Sequence, residues 1–189
     1  MPRSPLQLQL HHLETHSRAN GPGLRAVVWV QGCTLGCPGC FNPATHSRRG
    51  GTRVAVAELA ARLLAIPDVT GVTISGGEPL QQLPAVGALV QQLRRQSGLT
   101  LILFTGYSWT EVTTRPGTAA LLDQLDVLIS GRYLAGSDPA HGLRGSSNQE
   151  IHFLTSRYGA GDFATVPEAE IILSAEGDIR LTGIAPLKW

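Results

Sequence analysis

The chain has 189 residues, which is the size of one domain or of one domain with a short appendage. Its 15 basic and 14 acidic side chains leave a net charge of +1, and because nucleic acids usually bind to a basic face, we expect no nucleic-acid partner. The 3 cysteines lie close together in the sequence, an odd and crowded set that excludes a disulfide framework and indicates metal chemistry in a reducing compartment, the cytoplasm.

The sequence begins with a strand pattern and not with a targeting or membrane segment. Residues 6–10 alternate leucine with glutamine, which predicts a half-buried strand and lacks the apolar core of a signal peptide. No apolar run in the chain approaches the roughly 20 residues that cross a bilayer. We therefore expect neither a signal peptide nor a membrane partner.

The predicted elements from residue 26 to residue 129 alternate between strand and helix. Residues 26–30 form a continuous apolar and β-branched run, typical of a strand that is covered on both faces of a parallel sheet. Repeated strand–helix units imply an α/β fold with parallel strands joined by right-handed crossovers. After residue 30 the predictions are a loop at 31–51, helices at 56–65, 83–95 and 119–125, and strands at 69–74, 99–104 and 127–129.

The pattern changes after residue 130, where the chain becomes rich in glycine. Residues 150–154 are predicted as one more strand, and residues 159–161 have the composition of a linker. Two short apolar runs, at 169–173 and 178–181, flank a good hairpin turn. The predicted division is a core domain of residues 1–156 and a C-terminal β extension of residues 157–189.

Cys33, Cys37 and Cys40 follow the strand at 26–30 with the spacing Cys-x3-Cys-x2-Cys. Three thiolates on a loop rich in glycine and proline can converge on one centre, and thiolates select zinc or iron–sulfur clusters. A structural zinc site has four ligands, and His46 would supply the fourth in a Cys3His site. A four-iron cluster is normally held by four cysteines, so here one iron would be left free to bind a small molecule.

Two motifs resemble those of the radical S-adenosylmethionine (SAM) superfamily. Residues 32–43 read Gly-Cys-Thr-Leu-Gly-Cys-Pro-Gly-Cys-Phe-Asn-Pro, and residues 76–79 at the end of a predicted strand read Gly-Gly-Glu-Pro. In that superfamily the three cysteines hold a [4Fe-4S] cluster, whose open iron chelates the amino and carboxylate groups of SAM. The fold that the resemblance implies is a short, incomplete (β/α) barrel with parallel strands, to which this chain adds a small C-terminal β appendage.

Other segments narrow the resemblance to activases that install a glycyl radical on a partner enzyme. Residues 20–25 resemble the Gly-Pro-Gly segment of these activases, and residues 104–107 and 143–149 are most similar to activases of anaerobic ribonucleotide reductase. The resemblance implies reductive cleavage of SAM to methionine and a 5′-deoxyadenosyl radical, which removes a hydrogen atom from a glycine of the partner. It also implies an electron donor of the flavodoxin or ferredoxin type.

The resemblance assigns the three cysteines as cluster ligands and assigns several residues to SAM. Gly76, Gly77 and Glu78 would hold the amino group, since glycine lets the backbone approach a ligand and a carboxylate accepts from an ammonium. Gly39 and Phe41 flank the third cysteine and would line the adenine or the methionine. Many superfamily members carry an aromatic residue just before that cysteine; here, as in the ribonucleotide reductase activases, the aromatic residue follows it.

Three further residues are candidates for contacts with SAM. Thr105 and Ser130 end predicted strands, and the carboxyl ends of parallel strands face the ligand site, so both are candidates for the ribose or the carboxylate. Helix capping or turn chemistry would explain the same two residues equally well. Arg132 would pair with the SAM carboxylate, although a solvated arginine is the simpler interpretation.

Two alternative functions stay open on the sequence. One is a stand-alone radical SAM enzyme that modifies a peptide or a small metabolite, which the C-terminal segment suggests. The other is a non-catalytic Cys3His zinc module. A short barrel open on one side suits a substrate that another protein presents on a loop, and this favours the activase.

Overall fold

The computed structural model describes residues 5–137, 141–173 and 177–184. Its strands are β1 (Gln7–Ser17), β2 (Arg25–Val30), β3 (Thr52–Ala55), β4 (Gly71–Gly76), β5 (Thr100–Thr105), β6 (Val127–Ser130), β7 (Glu150–Phe153), β8 (Ala169–Leu173) and β9 (Ile179–Gly183). Its α-helices are α1 (Val56–Leu64), α2 (Leu83–Gln96), α3 (Trp109–Thr114), α4 (Thr118–Leu122) and α5 (Ala160–Ala164). No helix within the described ranges combines the length and the apolar character that crossing a membrane requires.

The central sheet has the order β3-β1-β2-β4-β5-β6-β7. The neighbours β2, β4, β5 and β6 run parallel, which confirms the predicted parallel arrangement for the middle of the sheet. The outer strands β1, β3 and β7 pair antiparallel, so the sheet as a whole is mixed. The incomplete barrel stays a prediction.

The two faces of the sheet bury different partners. Leu101, Leu103 and Leu128 belong to the core that includes the apolar faces of α1, α2 and α4. The alternate residues of the same strands, among them Ile102 and Ile129, belong to a second core on the opposite face. This alternation follows from the two-residue period of a strand.

Three local differences from the sequence predictions have identifiable causes. β1 extends to Ser17 because register shifts near His12 and Ser17 interrupt the alternation without ending the strand. β3 is a short edge strand that pairs with β1 and carries no strong pattern of its own. α3 begins at a capping box, in which the Ser108 side chain accepts from Glu111 N and the Glu111 side chain accepts from Ser108 N. This serine and glutamate spacing was readable in the sequence.

The predicted linker at 159–161 is wrong, because α5 begins there. Asp162 accepts a hydrogen bond from Gly159 N at 2.8 Å, and Phe163 is buried in the second core beside Val127 and Ile129. The predicted hairpin is confirmed as β8 and β9, although part of its turn lies outside the described residues. The division at residue 156 stays a prediction.

Arg25 is fully buried at the start of β2 and joins the amino-terminal ends of three parallel strands. Its guanidinium donates to Thr73 Oγ1 at 2.7 Å, to Val72 O at 2.8 Å and to Thr100 O at 3.0 Å. It also donates to Tyr158 Oη at 3.2 Å. Burial lowers the pKa of Arg25 to about 10, so the group is charged at neutral pH and relies on these dipoles.

We expect Arg25→Lys to lower the free energy of unfolding by about 2–4 kcal/mol. A lysine has three donors on one atom and cannot reach all the oxygens that the guanidinium contacts, so some of these buried hydrogen bonds to a charged group are lost, at about 1.5–3 kcal/mol each. Urea unfolding followed by circular dichroism under anaerobic conditions measures the change. The control is Arg62→Lys on the exposed side of α1, which should change the value by less than about 0.5 kcal/mol. Equal stability of the two variants would contradict the role assigned to Arg25.

Candidate functional site

The three cysteines lie on a loop whose two ends are held together by hydrogen bonds. Gly32 N donates to Thr45 O at 2.7 Å, and Cys33 N donates to His46 O at 3.0 Å. The buried Gln31 amide donates to Ala44 O at 3.1 Å and to Ser47 O at 2.6 Å. The loop therefore leaves the sheet and returns to it at the carboxyl end of β2. All three thiols are free and partly exposed, so they are available to a ligand.

The Gly-Gly-Glu segment at the end of β4 lies directly against the base of this loop. Gly77 N donates to Val30 O at 2.8 Å, and Glu78 N donates to Gly32 O at 2.9 Å. A Cβ atom at position 77 would overlap the backbone of Gly32, so a side chain there would push the two segments apart. The structure thus brings together the two motifs that the sequence singled out.

Glu78 is a buried carboxylate that links the ends of β4 and β5. Its Oε1 accepts from Leu80 N at 2.9 Å and from Thr105 Oγ1 at 2.8 Å, and its Oε2 accepts from Gly106 N at 2.8 Å. Burial raises the pKa of this carboxyl, and the three hydrogen bonds oppose that shift. A carboxylate has about four acceptor positions, and these hydrogen bonds occupy three of them.

One cavity joins the cysteine loop to the ends of β4, β5 and β6. The wall that the sequence predicted consists of Cys33, Cys37, Cys40, Phe41, Gly76, Gly77, Glu78 and Thr105. The wall that the sequence did not predict includes Leu35, Phe104, Gly106, Gly131, Tyr133 and Gln149. The described lining of this cavity does not include the other three candidates, which are Gly39, Ser130 and Arg132.

Gly39 shapes the loop, and Phe41 forms part of the wall. Gly39 has φ of +71°, a left-handed conformation that favours glycine, and a Cβ atom there would meet Ala135. The Phe41 ring contacts the Tyr133 ring edge to face, with ring centroids 5.1 Å apart. An aromatic wall is therefore present beside the third cysteine.

Thr105 and Ser130 direct their hydroxyls toward the helix side of the sheet. Thr105 Oγ1 donates to Glu78, so it positions that carboxylate. Ser130 Oγ lies 2.9 Å from Nε2 of His152, whose ring stacks on Trp109 at 4.1 Å. Both residues share a face with the leucine two positions earlier, which packs among the helices, and this alternation was visible in the sequence.

Arg132 forms an ion pair with Glu111 on the surface. Its two terminal nitrogens lie 2.7 Å and 3.0 Å from the Glu111 carboxylate oxygens. These hydrogen bonds lower the pKa of Glu111 to about 2. The arginine is therefore neither a free solvated cation nor part of the cavity lining described above.

The contacts of Gln149 show one structural role of the motif at residues 143–149. Its Oε1 accepts from Gly145 N at 2.7 Å, and its Nε2 donates to Gly131 O at 3.0 Å. This side chain therefore fastens the loop after β6 to the end of that strand and completes the cavity wall. The resemblance had marked this segment, but only the fold shows that it reaches the site.

The alternative to a cluster is a zinc site formed by the same three cysteines and His46. Among the described residues, no group of three or more His, Cys, Asp or Glu side chains is arranged to hold a metal ion. His46 lines the same cavity as the cysteines.

Comparison with known proteins defines the class first. A family model described as "4Fe-4S single cluster domain" matches residues 19–152. The chain therefore belongs to the 4Fe-4S single cluster domain family, and the residues that line the cysteine cavity lie within the matched range. Among solved structures, QueE from Escherichia coli aligns over 54% of each chain with 16% identity and a TM-score of 0.44.

Sequence relatives then define the family. The anaerobic ribonucleoside-triphosphate reductase-activating protein of Salmonella typhimurium is 35% identical over 144 residues, which cover 71% of this chain and 92% of that protein. The pyruvate formate-lyase-activating enzyme of Clostridium pasteurianum is 35% identical over 106 residues, which cover 53% of this chain and 44% of that protein. The chain belongs to the family of anaerobic ribonucleoside-triphosphate reductase-activating proteins, so the resemblance to radical SAM activases is confirmed.

We expect Glu78→Gln to destabilise the protein by about 1–3 kcal/mol at pH 5, because the amide nitrogen would face a backbone N–H donor. The folded-state pKa of Glu78 is raised, so its contribution to stability is full below the pKa of the unfolded chain and falls as pH rises through the folded pKa. The stability difference between wild type and variant should therefore shrink from pH 5 to pH 7. Urea unfolding at each pH tests this.

The matched control for this substitution is Glu58→Gln, because Glu58 is exposed in the first turn of α1. This variant should change stability only slightly and without the same pH trend. A stability difference for Glu78→Gln that grows toward pH 7 would contradict the expected direction.

Proposed function

We propose that this protein is a radical SAM activase that removes a hydrogen atom from a glycine of a partner glycyl radical enzyme of the anaerobic ribonucleotide reductase type. The observation that carries the proposal is the shared cavity of the three cysteines and the Gly-Gly-Glu strand end. The names of the relatives support the choice of partner. The cytoplasm is the proposed location.

The donor set of the cysteine loop suits a [4Fe-4S] cluster, because three thiols line one cavity. Cys33, Cys37 and Cys40 would hold three irons, and within the described lining of the cavity there is no fourth cysteine. Such a cluster would have one iron without a cysteine ligand, and the Gly-Gly-Glu segment lines the same cavity. A cluster bound there would supply one electron for the cleavage of SAM into methionine and the 5′-deoxyadenosyl radical.

The strand-end segment fits the amino-acid part of SAM. Glu78 keeps one acceptor position for an ammonium group, and its other hydrogen bonds hold the carboxylate still. Gly76 and Gly77 present backbone without side chains, so a ligand can approach closely. Phe41 offers an aromatic surface for the adenine or the methionine, and Gly39 keeps the loop in the required turn.

Thr105 acts through Glu78 and is proposed as a positioning residue. Direct contacts of Ser130 and Arg132 with SAM stay predictions, and in the structure their side chains bind His152 and Glu111. The incomplete barrel, the division at residue 156 and a flavodoxin- or ferredoxin-type donor belong to the same proposal. The family match favours the cluster over a zinc module.

A second candidate is a stand-alone radical SAM enzyme that acts on a peptide or a small metabolite. The observation in its favour is the β8–β9 hairpin, which lies beyond residue 152, where the family match ends. Mixing the protein with the anaerobic ribonucleotide reductase separates the two candidates.

We expect Cys37→Ala to abolish the cluster and SAM cleavage together. Anaerobic reconstitution of the wild type should give a brown protein with about four irons per chain that cleaves SAM with dithionite. Iron analysis, visible absorbance and methionine release measure the outcome. Thr155→Ala, outside the cavity lining, is the control and should keep the colour and the cleavage. A colourless wild type that holds one zinc and is inert toward SAM would overturn the proposal.

Mixing the reduced protein and SAM with the anaerobic ribonucleoside-triphosphate reductase of the same organism should give a glycyl radical doublet in the EPR spectrum. Omission of SAM is the control and should leave the spectrum silent. SAM cleavage without the doublet, at saturating reductase, would favour the stand-alone enzyme.

A further inference from the structure

The β8–β9 hairpin carries an apolar face that is open to solvent. Of the eight large apolar side chains that are exposed within the described residues, four belong to this hairpin. They form two directly opposed pairs, Ile171 with Leu181 and Leu173 with Ile179, so they share one face of the small sheet. Leu173 is 69% exposed and Ile179 is 73% exposed. Clustered exposed apolar side chains of this kind are typical of interaction surfaces.

The opposite face of the hairpin is fixed to the large sheet by polar contacts. Glu170 Oε2 accepts from Ser17 Oγ at 2.8 Å and from Arg18 N at 2.9 Å. Asn20 Nδ2 donates to Thr182 Oγ1 at 2.8 Å. The hairpin is therefore held in place near the end of β1, and its apolar face is presented in a defined direction.

A cavity lies between the fixed face of the hairpin and the large sheet. Its only acidic side chain among the described lining residues is Glu14, which forms an ion pair with Arg180 at 3.2 Å. The charges of this cavity are therefore matched internally, and an uncharged occupant suits it. Other lining residues are His12 and Trp29 from the sheet, Phe41 and Asn42 from the cysteine loop, and Ile172, Leu181 and Thr182 from the hairpin. Leu181 therefore borders both the cavity and the apolar face of the hairpin.

This cavity and the cysteine cavity are neighbours. Phe41 and Asn42 line both cavities, so the two cavities meet at these two residues. Past them lie the thiols and the Gly-Gly-Glu segment. An extended peptide is the kind of ligand that can occupy two neighbouring cavities.

The hairpin is also outside the part of the chain that defines the family. The family model ends at residue 152, and the match to the Salmonella relative uses 92% of that protein but only 71% of this chain. The hairpin is thus an addition to the shared catalytic core. An added surface beside the site is suited to recognise a particular partner.

We propose that the β8–β9 hairpin and the cavity beneath it form the docking surface for the glycyl radical enzyme, which places an uncharged, extended, glycine-bearing segment past Phe41 toward the cysteines. The apolar face of the hairpin packs against a neutral, apolar surface of the glycyl radical enzyme next to that segment. This inference rests on the proposed function, because it names where the partner of that reaction binds.

A second copy of this chain is the less suitable occupant. Four side chains on a two-stranded hairpin bury far less than the roughly 800 Å² per partner of a standard interface. A partner that also fills the adjoining cavity adds the area that the hairpin alone lacks. The structure therefore favours a larger heterologous partner.

Ile179→Glu and Leu173→Glu test the surface, because a charge on the apolar face would have to be buried on docking. We expect each variant to weaken binding of the reductase about tenfold or more, measured by anaerobic isothermal titration, and to raise by a similar factor the reductase concentration that gives half-maximal glycyl radical. SAM cleavage with dithionite in the absence of reductase should stay unchanged. Leu6→Glu is the matched control, since Leu6 is 45% exposed and away from the hairpin.

The milder variant Ile171→Thr, with circular dichroism for all variants, separates loss of binding from loss of folding; it should fold and still bind more weakly. Unchanged reductase affinity in both glutamate variants would overturn the proposal. So would a wild-type dimer, seen by light scattering, that the glutamate variants dissociate without any change in reductase affinity. A wild type that binds reductase through the hairpin but never cleaves SAM would refute the proposed function and leave the docking surface supported.

Discussion

The backbone contact between the end of β4 and the base of the cysteine loop is the constraint on which the site depends. Two hydrogen bonds, from Gly77 N to Val30 O and from Glu78 N to Gly32 O, hold the two motifs as one unit. The contact is close enough that a Cβ atom on Gly77 would overlap Gly32. The glycine is therefore required by packing inside the protein as well as by any ligand.

Two buried ionisable side chains clamp the parallel strands at opposite ends. Arg25 joins the amino-terminal ends of β2, β4 and β5 through neutral oxygens. Glu78 joins the carboxyl ends of β4 and β5 through Leu80, Thr105 and Gly106. Burial removes both groups from water, and hydrogen bonds within the protein replace the lost contacts with water. Because these hydrogen bonds are directional, they fix the strand ends that carry the site. The hairpin is attached separately, through Glu170 and Thr182, and so adds a surface without disturbing these clamps.

Much of the fold was predictable because its signals are local. The apolar runs of β2, β4, β5 and β6 and the helical spacing of α1 and α2 depend on residues close in sequence. The edge strands were harder to predict, since β3 and the second half of β1 owe their conformation to pairing with other strands. The helix at 160–164 was missed because two glycines suggested a linker, while the burial of Phe163 decides its position.

The sequence by itself determined the chemistry of the site: three thiols and one Gly-Gly-Glu segment, which follow the neighbouring parallel strands β2 and β4 and have spacings that nearby residues control. Only the tertiary structure decided which other residues join them. Ser130 and Arg132 bind His152 and Glu111 instead of lining the cavity, while Tyr133 and Gln149 reach it from a later loop. The physical reason is that side-chain direction and long-range packing depend on strand register and on partners far away in the chain.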